Sequence, residues 1–268
     1  SDYLHFTSTN IFFFILYIYS NKLLKNFWLD KMHVGFILDG NGRWAANKSL
    51  PRSIGHKKGA ENVETILKSC RDLGISHVTL YAFSTENWNR PVFEVKALMK
   101  LFHYYLKKKL TTLYQENVKV VIIGDVRPFP KVIKDYIKSL EELTKNNDGM
   151  LLNLAMNYGG RSEIVRATRG IVKWFSDGKI KLEDVDEKLF AKHLYTNGQN
   201  DPDLIIRTAG EKRLSNFLLW QSAYSELYFV EKNWPDFNRE DLIEALNEFK
   251  SRKRRYGSLE TKEKTNRK

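Results

Sequence analysis

The chain has 268 residues, 42% of them apolar and 13% aromatic, a formal net charge of +12 and one cysteine. This length and apolar content supply one large α/β domain, and the charge points to a polyanionic partner: nucleic acid, an anionic membrane face or phosphorylated small molecules. The single cysteine, Cys70, excludes an internal disulfide and a cysteine-based zinc site, and fits a reducing compartment.

Residues 1–30 form an atypical extension. Ile11 to Tyr19 is an apolar run of nine residues, against the about 20 that a bilayer span needs. It has neither a basic n-region nor a small-residue cleavage site, so a secretory signal does not fit. The following stretch sets Leu23, Leu24, Phe27 and Trp28 on one side of a helix. That helix either packs on the domain or lies in a membrane interface. The expected location is therefore the cytoplasm or the cytoplasmic face of a membrane (the endoplasmic reticulum in a eukaryote), not the exterior.

From Val34 onward strands and helices alternate. Val34–Leu38 reads as a buried strand, His77–Phe83 as a second, Val118–Gly124 as a third and Met150–Asn157 as a fourth. Asp203–Thr208 and Leu227–Val230 complete about six. Helices are expected from Pro91 towards Glu116, after Pro128 and Pro130, from Arg161, and over Arg239–Arg255. Crossovers of this length predict a mostly parallel sheet flanked by helices in one domain over 31–257. Residues 258–268 read as a basic, polar, disordered tail.

In such sheets ligands sit at the carboxyl ends of strands. Four loaded segments fall there: Asp39-Gly40-Asn41-Gly42-Arg43-Trp44, Ser84-Thr85-Glu86-Asn87-Trp88-Asn89-Arg90, Asn157-Tyr158-Gly159-Gly160-Arg161, and the loop from Arg207 to Ser215. The two glycines of the first segment let the backbone turn and approach a ligand, and Arg43 adds positive charge. Asp39 would repel a bare phosphate, so its presence implies a bridging divalent cation, and the segment reads as a diphosphate–Mg²⁺ site. Arg207, Arg213 and Ser215 offer a second anion site. Arg52 and His56 stand near a helix start, within reach of the first. The run Gly40 to Ala45 also matches the dinucleotide fingerprint. The acid that fingerprint requires at the end of a second strand is missing, and Arg43 and Trp44 would crowd a pyrophosphate.

Taken together, D-G-N-G-R-W, G-H-K-x-G, Y-A-F-S-T-E-N-W-N-R-P, N-Y-G-G-R, I-R-T-A-G-E-x-R-x-S-N-F-L-L-W-Q and E-L-Y-F-x-x-x-x-W-P-D-F resemble the cis-prenyltransferases over Val34 to Gly257. The resemblance implies an apolar tunnel and repeated addition of isopentenyl diphosphate to an allylic primer such as farnesyl diphosphate. The product would be a precursor of dolichyl or undecaprenyl carrier lipid. It implies that Asp39 brings Mg²⁺ to the diphosphate, with Glu226 as a second metal-contacting acid. Gly40, Asn41, Gly42, Arg43, Trp44, Arg52 and His56 would cradle the allylic diphosphate. Arg207, Arg213, Leu214 and Ser215 would hold isopentenyl diphosphate. Ser84, Thr85, Glu86, Trp88 and Arg90 would form the substrate-contacting loop. Asn87 matches the residue proposed as proton acceptor, which on chemical grounds orients a base rather than acting as one. Arg255 and Gly257 match a motif that reaches a partner subunit's substrate, implying a homodimer. Met150 matches the tunnel floor, so that Met150→Ala would lengthen the products. Val95, Leu98, Met99, Leu101, Phe102, Tyr105 and Leu106 are expected along one tunnel wall. Ala209 and Lys212 depart from the family's usual glycine and histidine. Two other readings remain: a non-catalytic prenyltransferase-like subunit of a heteromer, disfavoured by the presence of Asp39 and both arginines, and a nucleic-acid binder, for which no motif appears.

Overall fold

The computed structural model describes residues 31–252; the expectations for 1–30, for Arg255 and Gly257, and for 258–268 lie outside the described residues. Strands β1 (His33–Ile37), β2 (His77–Ser84), β3 (Lys119–Ile123), β4 (Leu151–Tyr158), β5 (Leu204–Arg207) and β6 (Glu226–Phe229) form one six-stranded sheet in the order β3-β4-β2-β1-β5-β6. Every neighbouring pair is parallel. Helices α1 (Asn41–Asn47) and α2 (Arg52–Leu73) connect β1 to β2, and α3 (Val92–Gln115) connects β2 to β3. Next come α4 (Lys131–Thr144) before β4, α5 (Gly160–Ser176) and α6 (Glu187–Lys192) before β5, and α7 (Arg239–Ser251) after β6. No described helix is long and apolar enough to cross a membrane.

Local chemistry fixes the boundaries. Pro51, Pro91 and Pro130 stand at the N-caps of α2, α3 and α4, where a residue without an N–H loses nothing. Helix α2 ends on Gly74 at φ 84, the left-handed turn that glycine adopts freely. The start of α7 is closed by a reciprocal pair in which Asn238 and Asp241 each accept the other's backbone N–H. Strand side chains alternate between two cores. Phe36, Val78 and Leu80 face one core with Ile66, Trp234 and Phe237. Ile37, Ile123 and Tyr158 face the other with Phe217 and Leu218. Burial on both faces explains why these strands read as continuous apolar runs.

The amino edge of the sheet holds a dry polar knot. His33 and His77 stack with ring centroids 3.5 Å apart. His33 Nδ1 donates to the Asn200 carbonyl (2.8 Å), and its Nε2 accepts from the Thr79 hydroxyl (2.7 Å). The Asn153 amide donates to His77 Nε2 (2.9 Å) and to Gln199 Oε1 (2.6 Å). Burial lowers the His33 pKa to about 4 against the raising effects of Asn200 and Asp203, and burial with the neighbouring His33 lowers His77 to about 2. Both rings are therefore neutral in the fold, while in the unfolded chain they gain protons below about pH 6.5. Stability from this pair is complete above that pH and is lost as pH falls towards about 4. Denaturant unfolding between pH 7.5 and 5 is expected to show stability falling with acid, with a limiting slope of about 2.7 kcal/mol per pH unit for two protons. A flat profile would contradict two buried neutral imidazoles.

Candidate functional site

Strands β1 and β5 are neighbours in register, Ile37 opposite Arg207, so the residues that follow each strand meet at the carboxyl rim. Asp39 Oδ2 accepts from Arg207 Nη2 at 2.8 Å, and Asp39 Oδ1 accepts from the Gly40 amide at 2.8 Å. Thr208 holds this carboxylate's backbone from both sides. Its hydroxyl accepts from the Asp39 N–H (3.0 Å) and donates to the Asp39 carbonyl (2.7 Å). Arg207 is buried, and its Nη1 donates to the Arg213 carbonyl (2.5 Å) and to Ser215 Oγ (2.7 Å). Its Nε has no hydrogen-bond partner among the described residues.

The turn after Asp39 needs its glycines. Gly40 has φ 96, and a Cβ there would lie 2.3 Å from Asn233 Oδ1. A Cβ on Gly42 would press on the Arg52 guanidinium at 3.0 Å, so Arg52 lies against the bare backbone of this turn. Asn41 opens α1, and its Nδ2 donates to the Leu38 carbonyl. Trp44 Nε1 donates to Asp236 (2.7 Å). Arg43 donates to the Ala209 carbonyl (2.7 Å) and, with Arg213, to Glu211, which bridges the two guanidiniums. That pairing holds the Glu211 carboxyl below its usual range, the hydrogen bond from Arg43 contributing most.

A second carboxylate organises the opposite lip. Glu94, buried near the start of α3, lies 3.0 Å from Arg90 Nη1, 3.2 Å from His56 Nε2 and 3.7 Å from Arg52 Nε. Arg52 and His56, expected in the cradle, and Arg90, expected in the substrate-contacting loop, thus share one acid. Burial first, and the nearby arginines in part, lower the His56 pKa. In the second loop, Asn87 Oδ1 accepts from the Ser84 amide (3.1 Å), Glu86 accepts from Asn216 Nδ2 (2.8 Å), and Trp88 Nε1 donates to Asn157 Oδ1 (2.8 Å). Thr85 packs against Gly159, where a Cβ would sit 2.7 Å from its Oγ1. Leu214 packs into the second core beside Phe217.

Of these groups, Asp39, Asn41, His56, Ser84, Glu86, Asn87, Arg90, Arg207 and Ser215 line a cleft of about 600 Å³, whereas Arg43, Arg52 and Arg213 are not part of its lining. Leu38, Ala60, Val63, Ala82, Leu101 and Phe102 line both this cleft and an apolar cavity of about 160 Å³ behind it. The cavity runs between the sheet, α2 and α3 to Val118, Leu140 and Leu152. Of the residues expected on the tunnel wall, Leu101, Phe102, Tyr105 and Leu106 line the cavity, and Leu98 lines the cleft; Val95 and Met99 line neither.

Two of the expected residues lie away from the cleft of their own chain. Met150 is buried beneath Leu152, at the amino end of β4, and does not line the cavity. Glu226 opens β6, opposite Leu204, which pairs with Val34. It therefore stands at the amino edge, about five residues or ~17 Å of strand from the Asp39 of its own chain. There it pairs with Arg252 at 2.8 Å, so one ion cannot touch both acids within a chain.

The sequence reading missed Glu94, Thr208, Glu211 and Asn216 as site residues. Glu94 lies four residues after Arg90, the spacing of an ordinary surface helix pair, and only the packing of α2 on α3 adds its other partners.

The rim is conformationally strained. Asn157, Ala209, Ser215, Asn216 and Leu218 all have positive φ, with Ala209 at 68. A left-handed alanine costs about 1–2 kcal/mol. Ala209→Gly is expected to raise the unfolding free energy by about 0.5–1 kcal/mol, after the entropy glycine loses on folding, as read by denaturant titration. A loss of stability would show that the methyl group's packing outweighs the strain.

Comparison with known proteins agrees with this geometry. A family model described as putative undecaprenyl diphosphate synthase matches residues 37–257. An isoprenyl transferase of Clostridium perfringens is 51% identical over 232 residues, covering 86% of this chain and 92% of the relative. A ditrans,polycis-undecaprenyl-diphosphate synthase of Legionella pneumophila, specific for (2E,6E)-farnesyl diphosphate, is 45% identical over 231 residues, 86% of this chain and 97% of that protein. Among solved structures, lavandulyl diphosphate synthase from Lavandula x intermedia, in complex with dimethylallyl diphosphate, superposes with TM-score 0.82 at 39% identity over 84% of this chain and 98% of that one. A probable undecaprenyl diphosphate synthase from Campylobacter jejuni gives TM-score 0.70 at 31% identity, with the same coverage. By family-model match, by identity over most of its length and by fold, this chain belongs to the undecaprenyl diphosphate synthase family of prenyltransferases.

Proposed function

We propose that this protein condenses isopentenyl diphosphate repeatedly onto farnesyl diphosphate and releases a polyprenyl diphosphate, precursor of a dolichyl or undecaprenyl glycosyl carrier lipid. The observation that carries the reading is the junction of two environments. A cleft holding Asp39, Arg207, His56 and Arg90 opens directly into an apolar cavity. Charged heads would lie in the cleft, with the start of a hydrocarbon path beside it along their shared lining.

In this reading the allylic diphosphate lies on the Gly40–Arg43 turn, within reach of Arg52 and His56. Isopentenyl diphosphate lies against Arg207, Arg213 and Ser215. Opposing charges on the protein offset the repulsion between the two diphosphates, and holding both makes the encounter effectively unimolecular. The allylic C–O bond breaks, the diphosphate leaves, the terminal carbon of isopentenyl diphosphate bonds to the allylic carbon, and a proton departs. Asn87 cannot take that proton as it stands, because its carbonyl oxygen already accepts from Ser84 and an amide NH₂ is not a base. It orients the isopentenyl group beside a diphosphate oxygen that accepts the proton.

The donor set fits Mg²⁺. No group of three or more acids and histidines occurs among the described residues, and Mg²⁺ is ordinarily held by one or two carboxylates plus substrate phosphates. Asp39, partly exposed at the cleft, is that carboxylate. Bound there, Mg²⁺ would supply charge stabilisation for the leaving diphosphate. Two further parts of the reading concern assembly. The outer face of α5 exposes Val165, Val172 and Phe175, a stripe suited to pairing with a second copy. The apolar run in residues 11–19 favours attachment of the protein and its lipid product to a membrane surface.

Purified protein given farnesyl diphosphate, labelled isopentenyl diphosphate and Mg²⁺ is expected to build a ladder of polyprenyl products without a second chain. Failure to incorporate label would favour the non-catalytic subunit. Asp39→Asn preserves shape and the Arg207 contact but loses the charge. It is expected to lower kcat/KM at least about 100-fold, or about 3 kcal/mol of transition-state stabilisation; a full-rate variant would refute the role of this carboxylate. Phe175→Glu is expected to convert a homodimer to monomer in sedimentation; an unchanged mass would move the interface elsewhere.

A further inference from the structure

The product cavity has one soft wall. Its volume of about 160 Å³ is close to that of an engineered cavity of about 150 Å³ that holds one benzene. A chain that has filled the cleft and this cavity grows further only if a boundary yields. The floor is not a candidate, because Val118, Leu140, Leu152 and the underlying Met150 are all buried in the main core. The side between α2 and α3 differs. Glu64 and Arg71 of α2, Lys109 of α3 and Glu116 at the C-cap of α3 are charged residues in an otherwise largely apolar lining.

They form two rungs. Lys109 Nζ lies 2.6 Å from Glu64 Oε2, and Arg71 Nη1 lies 2.7 Å from Glu116 Oε2. Both partners advance by seven residues from the first rung to the second, so the rungs lie two turns apart along helices that run the same way. Their sense reverses: the acid is on α2 in the first and on α3 in the second. The side chains of Glu64 and Glu116 are 58% and 40% exposed, those of Lys109 and Arg71 20% and 31%. Long basic stems thus border the cavity on its open side, while their heads are fastened in solvent. Ion pairs so exposed exchange readily with water and are weakened by salt.

We propose that the seam between α2 and α3 is the expanding wall of the product channel, and that the Glu64–Lys109 and Arg71–Glu116 pairs set how far it opens and so where chain growth stops. A chain that reaches the buried floor can continue only by spreading the seam. Each rung opposes this by holding the helices together and by placing charge in the path of the hydrocarbon. This inference rests on the polyprenyl reading above.

The test compares product ladders at equal isopentenyl diphosphate consumption. Lys109→Met and Arg71→Met keep stem length and remove the charge. Each is expected to move the principal product at least one isoprene unit longer, and the pair together further. The exchange Glu64→Lys with Lys109→Glu restores the rung in reverse and is expected to return the parental ladder. Raised NaCl is expected to lengthen wild-type products and to leave those of the double methionine variant unchanged. Thermal unfolding read beside the ladders separates a loosened fold from a loosened seam, since exposed pairs add little to stability. Ladders identical to wild type in the methionine variants would overturn the proposal while leaving prenyl transfer in place. A wild-type protein that makes no chain at all would instead remove the polyprenyl reading and this one with it.

Discussion

One hydrogen-bonded ion pair, Asp39 to Arg207 across the ends of β1 and β5, defines what the rest of the molecule must provide. The pair joins residues 168 apart in sequence, so it exists only because two short strands share register. Arg207 is buried and Asp39 is partly open. Removing either partner leaves a charge in a place built for two. The fold answers by over-determining the spot. Thr208 holds the backbone of Asp39, Gly40 turns the chain where Asn233 leaves no room for a Cβ, and Ser215 and the Arg213 carbonyl take the Nη1 donors of Arg207. The positive-φ residues at the same rim are the strain this precision stores.

A site for two diphosphates must concentrate cations, and concentrated cations repel one another. Two acids resolve this without removing the positive character. Glu94 gathers Arg52, His56 and Arg90 on one lip, and Glu211 gathers Arg43 and Arg213 on the other. Each carries one negative charge among two or more cationic groups, so a surplus remains for phosphate. Burial holds His56 neutral more readily than its free value implies, which leaves it a hydrogen-bond donor rather than another charge. The acids therefore keep the guanidiniums near their working positions before any substrate arrives, the kind of preorganisation that lowers the reorganisation needed during reaction.

How much of this could be read from the chain follows from where each signal is stored. The strands were legible because parallel strands buried on both faces appear as apolar runs closed by turn residues, and the rim residues because polar side chains interrupt those runs at their ends. Helix α6 was missed: six residues are too few for a helical period, and its start depends on an Asp186 cap, with a 2.7 Å bond to the Leu189 amide. Glu94 was missed because its partners come from another helix. Glu226 presents the opposite case: it lies far from the Asp39 of its own chain. Its position before the last strand already put it at the amino edge, and only motif likeness argued for the metal. Met150 lies buried next to the cavity-lining Leu152; a strand residue's neighbours along the chain do not say which of them reaches the cavity surface.

The contrast between the ends of the channel has a physical logic. The rim is rigid because diphosphate chemistry is sensitive to small displacements. A hydrocarbon tail has no such demand. It gains free energy from any water-excluded path, roughly in proportion to the area it buries, and it lengthens by a fixed increment at each cycle. A wall matched closely to one length would hinder every other. Two helices joined at their outer seam by exposed ion pairs, and packed on a sheet buried on both faces, form a boundary whose resistance grows only as the chain reaches each pair in turn. Glu64–Lys109 is met before Arg71–Glu116, because α2 and α3 both run away from the rim. Position along the seam thus converts chain length into a growing resistance to further addition. Such a graded stop follows from the geometry of two parallel helices and needs no residue that recognises the end of the product.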